Sequence, residues 1–235
     1  MGKSHHMSGL LDAERLEASF AALAPLLVHG VPRAPKQIYS MVDLQAAFDA
    51  LHAPLAAARS AGGLINPWTI AGLKRDEVRI ASALAGLWRA QFGGASSLRF
   101  LGEYLSAAIG HVDWHAELAS GYRVEAECNP LGLASDRVDL VVETASHLIG
   151  IEVKVDAALG PMQLERYALA IERRAELQGR EPHNLLLARS ASAAAVSTSW
   201  RDIASAAGRA VPCKASARGF IDQYIASFGD FVRIL

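Results

Sequence analysis

The stretch Arg137–Val155, RVDLVVETASHLIGIEVKV, decides the fold. Two runs rich in β-branched and aliphatic residues, Arg137–Glu143 and Leu148–Val155, are separated by only a few positions. A β-hairpin is the shortest connection between such runs. A turn centred between Ala145 and Ser146 sets Asp139 directly opposite Glu152, with Cβ atoms about 4.5–5.5 Å apart on one sheet face. Lys154 joins that face by the two-residue period, whereas Ile151, Val153 and Val155 point the other way, into a core. A slip of one residue would send Asp139 and Glu152 to opposite faces. The turn contains no Asn-Gly or similar dipeptide, so the sequence does not specify its type.

Outward from the hairpin, Tyr122–Cys128 alternates as a further strand, and Pro161 opens a helix to about Gln178, a favourable place for proline. Leu185, Leu186 and Leu187 form a short apolar run that suits a buried strand. Helices return near Trp200–Ala207 and Phe220–Phe228. Upstream the period is helical throughout: Leu10–Val28, Met41–Arg59 with Pro54 kinking or ending it, Asp76–Phe92 stopped by Gly93 and Gly94, and Ser97 to about Ile109. The order predicts an α/β domain with a small mixed sheet flanked by helices. Residues 1–9 read as a tag remnant, so His5 and His6 carry no functional weight. Residues 10–95 read as a helical region packed on the core, and 96–235 as the α/β domain that holds the trio.

Composition limits the function classes. At 235 residues and 51% hydrophobic, the chain can bury a sizeable core. Basic and acidic residues number 23 and 24, a balance that excludes a polybasic chain but leaves local nucleic-acid contacts open. Cys128 and Cys213 are too few for a disulfide scaffold or a zinc ribbon and fit a reducing cytoplasm. The longest apolar run, Phe20–Val28, is too short to span a bilayer, so no membrane association is expected. Acidic side chains concentrate between residues 97 and 155, either as a solvated face or as part of a metal site.

The trio has a chemical rationale. Two carboxylates suit Mg²⁺, a hard cation that keeps several waters, with Mn²⁺ as a substitute. Such a metal acidifies water and polarises phosphoryl oxygens. A neighbouring lysine orients the water or offsets charge building on phosphate, with a compact ammonium that arginine does not offer. The ordinary alternative is an exposed Glu-x-Lys ion pair, which the apolar surroundings VDLVV and IGIEVKV argue against.

RVDLVV, then IEVKV, then QLERY resembles the PD-(D/E)XK nuclease superfamily, with Gln163 and Tyr167 similar to the Q-x-x-x-Y motif of its RecB-like branch. The resemblance covers roughly residues 121–190, and Val138 stands where the eponymous proline would be. It implies a restriction-endonuclease-like core of helix, three strands, helix and strand. It also implies Asp139 and Glu152 as metal ligands, Lys154 as the catalytic lysine, and DNA as substrate. Gln163 and Tyr167 would support the site or touch the nucleic-acid strand. Read without the resemblance, Gln163 caps the helix start and Tyr167 packs on the sheet. The superfamily often takes another acidic ligand from the preceding helix or first strand, where Glu77 is the first choice, Glu127 the second and Glu103 a third candidate. The rivals to a nuclease are the same fold with catalysis lost, binding nucleic acid or a partner protein, and a structural protein whose trio is an incidental ion pair. The oligomeric state stays open, a homodimer included.

Weaker signals remain. His111 and His115 have the i,i+4 spacing of a helical metal pair, without an evident third ligand. Arg166, Arg173, Arg174 and Arg180 could meet phosphates, yet Glu165, Glu172 and Glu176 offer local partners. Walker, nucleophile-elbow and Cys/His patterns are missing from the sequence.

Overall fold

The computed structural model describes residues 40–60, 65–131, 137–157, 160, 162–189 and 195–235. The chain divides into two compact units, 1–61 and 62–235. In the first, helix α1 (Met41–Ser60) starts on a Ser40 hydroxyl that accepts from the Asp43 N–H at 3.1 Å. It spans the stretch read as helical and runs through Pro54, so of the two effects expected of that proline, a kink or an end, the helix does not end there. No residue of it is buried, so the carbonyl freed by the missing proline N–H has access to water. The helix read over Leu10–Val28 lies outside the described residues.

The second unit is built on a five-stranded mixed sheet in the order β1 to β5: β1 (Arg123–Cys128), β2 (Val138–Glu143), β3 (His147–Val153), β4 (Glu181–Leu187) and β5 (Val196–Thr198). The first three strands are antiparallel neighbours and the last two run parallel to β3. In the central hairpin Leu140 faces Ile151, Val141 faces Gly150 and Val142 faces Ile149, the register in which Asp139 stands opposite Glu152. The turn is closed by its own groups and by a neighbour: Thr144 N–H donates to His147 O at 3.0 Å, and Glu117 accepts from Thr144 Oγ1 at 2.6 Å and Ser146 N at 2.8 Å.

Helices cover both faces. On one lie α2 (Pro67–Ile70), α3 (Glu77–Trp88), α4 (Ala90–Ala108), α5 (Trp114–Ala119), α7 (Trp200–Ala210) and α8 (Phe220–Val232). Ile80, Leu84, Trp88, Phe100, Tyr104, Ile203 and Phe228 from these helices share one core with Leu140, Val142, Ile149, Ile151, Val153, Leu185 and Leu187 of the sheet. On the opposite face α6 (Gln163–Gln178) packs Ile171 and Ala175 against Val138, Val141 and Leu148. The alternation of the hairpin thus feeds two cores, one per face.

Several element ends differ from the sequence reading: β3 closes at Val153, so Lys154 and Val155 lie just past the strand, and β4 opens at Glu181 and not at Leu185. The Asp76-capped helix stops at Trp88, short of the glycines, because Arg89 turns extended (ψ 116°) and donates from Nε to Val124 O at 3.0 Å. Gly94, at φ 55°, then kinks α4 and does not stop it, a conformation open to glycine. Met162 stands before the first turn of α6, and Pro161 lies outside the described residues.

The contact between α6 and the sheet depends on Gly150. A Cβ there would lie 2.7 Å from Ile171 Cγ1 and 2.9 Å from its Cδ1. Gly150→Ala should therefore lower the unfolding free energy by about 1–3 kcal/mol through overpacking, and adding Ile171→Val should restore part of it. Urea denaturation of the three proteins checks this; an unchanged midpoint for Gly150→Ala would mean that α6 shifts freely.

Candidate functional site

Asp139, Glu152 and Lys154 converge where β2 begins and β3 ends, beside the start of α6. Asp139 Oδ2 accepts from Val153 N–H at 2.8 Å, which fixes one carboxyl across the hairpin. Glu152 is 3% exposed. Its Oε1 accepts from Gln163 Nε2 at 2.7 Å and lies 2.7 Å from Lys154 Nζ, while no donor reaches its buried Oε2. The Asp139 carboxyl is near enough to share a proton with Glu152. Buried polar atoms are usually satisfied, so a partnerless carboxylate oxygen calls for a proton or a cation.

The electrostatics show the same tension. Burial, and then the neighbouring Asp139 charge, push the Glu152 carboxyl up to about 7 against the pull of Lys154. Burial also raises Asp139, in part offset by the Val153 N–H and Lys154. For Lys154 desolvation is the largest single influence and acts downward, but the bond to Glu152 and the charges of Glu152, Glu77 and Asp139 outweigh it and hold the pKa above its ordinary value. The lysine is thus a fixed cation among carboxylates.

Glu77, from the first turn of α3, belongs to this group. Its Oε1 accepts from Val155 N–H at 2.7 Å and Ala157 N–H at 3.2 Å, and its Oε2 lies 3.6 Å from Lys154 Nζ. Glu127 does not join them. The register count sets it opposite Asp139, but its backbone is left-handed, at φ 51°, and its carboxylate pairs with Arg137 at 3.4 Å. Glu103 is held elsewhere by Arg209 Nε at 2.6 Å.

Gln163 and Tyr167 both stand beside Glu152 at the start of α6, whose first turn has no side-chain cap. Gln163 Oε1 accepts from Gly160 N–H at 3.0 Å, next to the helix start. Its Nε2 bridges Glu152 and the Tyr167 hydroxyl, the latter at 3.1 Å. Tyr167 packs against the sheet cluster of Val138, Val141 and Leu148. A cavity of about 10 Å³, room for about one water, is lined by Glu152, Tyr167, Asn184 and Gly150 among others. The Lys154 and Glu77 side chains are 14% and 22% exposed.

Some positioning residues have no sequence signature. Trp200 Nε1 donates to Lys154 O at 3.1 Å, and Lys154 N–H donates to Leu187 O at 2.8 Å, so the lysine backbone is clamped between α7 and β4. Asp156, just beyond, pairs with Arg75. Arg174 and Arg180, candidates for phosphate contact, both lie 2.8 Å from Glu143 Oε1, a partner on β2 and not on their own helix. His111 and His115 diverge: His115 faces Glu103 at 3.5 Å and His111 faces Glu181 at 3.9 Å. Among the described residues no helix is long and apolar enough to cross a membrane.

Compared with known proteins, the chain matches no family model, no curated protein and no solved structure.

The raised Glu152 pKa sets a pH dependence for the metal-free protein. A carboxyl whose folded pKa exceeds its unfolded value holds more protons when folded, so its stabilising contribution is full below about 4.5 and declines as pH rises to about 7. Glu152→Gln removes that decline. The stability of the variant relative to wild type should therefore grow across this window, by at most about 3 kcal/mol, in denaturation measured with a chelator present. A difference that is flat with pH would mean that Glu152 titrates normally.

Proposed function

We propose that the unit 62–235 is a metal-dependent nuclease that hydrolyses DNA phosphodiester bonds, with Mg²⁺ as its cofactor and Mn²⁺ as a substitute. The reading rests on one observation: a buried Glu152 oxygen without a donor, beside a second carboxyl and a lysine ammonium 2.7 Å from its other oxygen. Oxygen donors of this kind suit a hard divalent cation, which would satisfy the orphaned atom and offset the burial that lifts both carboxyl pKa values. The strand order, antiparallel β1–β2–β3 followed by α6 and a parallel β4, is consistent with a restriction-endonuclease-like core. So is the link from Gln163 to Glu152, which fits the proposed place of this chain in the PD-(D/E)XK superfamily.

In this mechanism Asp139 and Glu152 hold the cation, and Glu77, which touches the lysine, is the nearest further carboxylate. When bound, the metal acidifies a water and polarises a phosphoryl oxygen. Lys154, the cation nearest the carboxylates, orients the attacking water and offsets charge developing on the phosphate. Gln163 fixes the Glu152 rotamer through one amide hydrogen, and Tyr167 fixes Gln163. Glu77 holds the backbone after Lys154 in place through two N–H groups.

Asp139→Asn should abolish the rise in melting temperature that Mg²⁺ or Mn²⁺ gives the wild type. An unchanged metal response in that variant would move the cation elsewhere. Lys154→Ala should slow cleavage of mixed DNA substrates by at least about 10²-fold and change DNA affinity far less, since one cation supplies only part of the salt-dependent binding. Gln163 keeps Glu152 partnered in that variant, so the fold should persist. Wild-type protein that binds DNA without cutting it under either metal would instead assign a binding module with catalysis lost.

A further inference from the structure

We infer that the domain carries a second metal site, of a different chemistry, at the other end of β3. Its ligands are His147, Glu181 and His183, with His111 at the rim, and the ion they suit is Zn²⁺. The inference is independent of the nuclease reading.

The topology brings these residues together. His147 opens β3 and Glu181 opens β4; the parallel register sets His147 opposite Glu181, and His183 opposite Ile149. By strand alternation all three belong to the face that carries Ile149, Ile151, Leu185 and Leu187, the reverse of the Glu152 face. Glu152 is five residues along β3 from His147, about 16 Å at the usual rise. The two groups share neither a sheet face nor a ligand.

The geometry is that of a ligand set. His147 Nδ1 and His183 Nε2 face each other at 3.0 Å, and both side chains are only 11% exposed. The Glu181 carboxylate lies 3.6 Å from His147 Nδ1 and 3.9 Å from His183 Nε2, and His111 Nε2 lies 3.9 Å from Glu181 Oε1. The gaps to Glu181 are too long for hydrogen bonds. A tetrahedral zinc with bonds of 2.0–2.1 Å separates its donor atoms by about 3.3 Å; the two imidazole nitrogens stand 3.0 Å apart and His147 Nδ1 stands 3.6 Å from Glu181 Oε2, while Glu181 turns its other oxygen to His183 at 3.9 Å. One ion between these atoms gives the carboxylate a reason to stand beside two buried imidazoles.

The surroundings hold the ligands in place. Trp114 packs on both rings, its centroid 5.0 Å from His147 and 5.8 Å from His183. Thr144 Oγ1 accepts from His147 N–H at 2.9 Å and donates to Glu117 at 2.6 Å, so α5 steadies the strand end that carries the first ligand. Imidazole and carboxylate together select zinc-like ions over Mg²⁺, which prefers oxygen alone. Such an ion would tie the α4–α5 turn to the starts of β3 and β4.

The test uses the full chain stripped with chelator, His5 and His6 being common to every protein compared. Wild type should bind one more Zn²⁺ than His147→Gln/His183→Gln by calorimetric titration. It should also give a Zn²⁺-dependent rise in melting temperature that the double variant lacks. Co²⁺ should give intense tetrahedral absorption bands in wild type alone. Glu181→Gln, an exposed change that leaves the core intact, should weaken Zn²⁺ at least about tenfold, the scale on which even outer-shell partners act. The Mg²⁺ response should be the same in Glu181→Gln as in wild type, and the Zn²⁺ response the same in Asp139→Asn. Equal Zn²⁺ stoichiometry in wild type and double variant would overturn the inference, as would a wild type without tetrahedral Co²⁺ bands. A Glu181→Gln protein that binds Zn²⁺ as tightly as wild type would overturn the ligand set.

Discussion

The pairing of Leu140 with Ile151 sets the register of the central hairpin, and that register determines the face to which every charged group of the cleft belongs. A side chain on a strand has two choices, and one slip exchanges them all. In the observed register Ile149, Ile151 and Val153 enter the larger core while Glu152 turns to the α6 side. In the slipped one, Glu152 and Lys154 would be driven among Leu84, Trp88 and Phe228, where nothing could pair with them. The hydrophobic pattern therefore selects the arrangement, and the turn is held from outside: Glu117 of α5 takes two hydrogen bonds from Thr144 and Ser146. A short helix distant in sequence supplies what a turn dipeptide would otherwise have to specify.

The same register creates the central electrostatic strain. Burial raises both carboxyl pKa values, the Asp139 charge lifts Glu152 further, and the compensation is incomplete. Asp139 has a backbone N–H, Glu152 has an amide and an ammonium on one oxygen, and the other oxygen has neither. A fold selected for stability alone would place a leucine or valine at this position, since apolar replacements of buried charges are commonly neutral or stabilising. Retained strain of this kind, surrounded by well-packed structure, is the usual mark of a site under functional constraint. Here the constraint is local, because the two cores on either side are otherwise well filled.

Legibility in the sequence followed the range of the interaction. The hairpin register came from symmetry about Ala145 and Ser146, a local quantity, and Glu77 was singled out because it stands just after a capping Asp76 before a strong apolar face. Gln163 and Tyr167 are one helical turn apart, so their shared direction was readable too. What failed to show was either a dihedral or a distant neighbour. Nothing in RVEAEC announces the left-handed Glu127 that turns its carboxylate to Arg137 and away from Asp139. The break at Arg89 depends on Val124 O, and the clamp on Lys154 depends on Trp200, each long-range in sequence. Strand β5 is three residues long and carries no periodicity to read. At Pro54 the sequence left a kink or an end open, and the exposed helix passes through it.

The histidine group was illegible for a more specific reason. Antiparallel pairs joined by a short turn have a register that counting can find, but β3 and β4 are parallel and joined through α6, so nothing in the spacing of His147, Glu181 and His183 predicts their pairing. Once the crossover is formed, β3 acts as a two-ended beam. At its end lie oxygen donors and a lysine on the α6 face; at its start lie nitrogen donors and a carboxylate on the opposite face. Donor type and distance keep the two groups chemically distinct: a hard cation has little to gain from imidazoles, and a zinc-like ion is favoured where they occur. One strand of seven residues thus places two donor groups on different faces by alternation and holds them apart by its length.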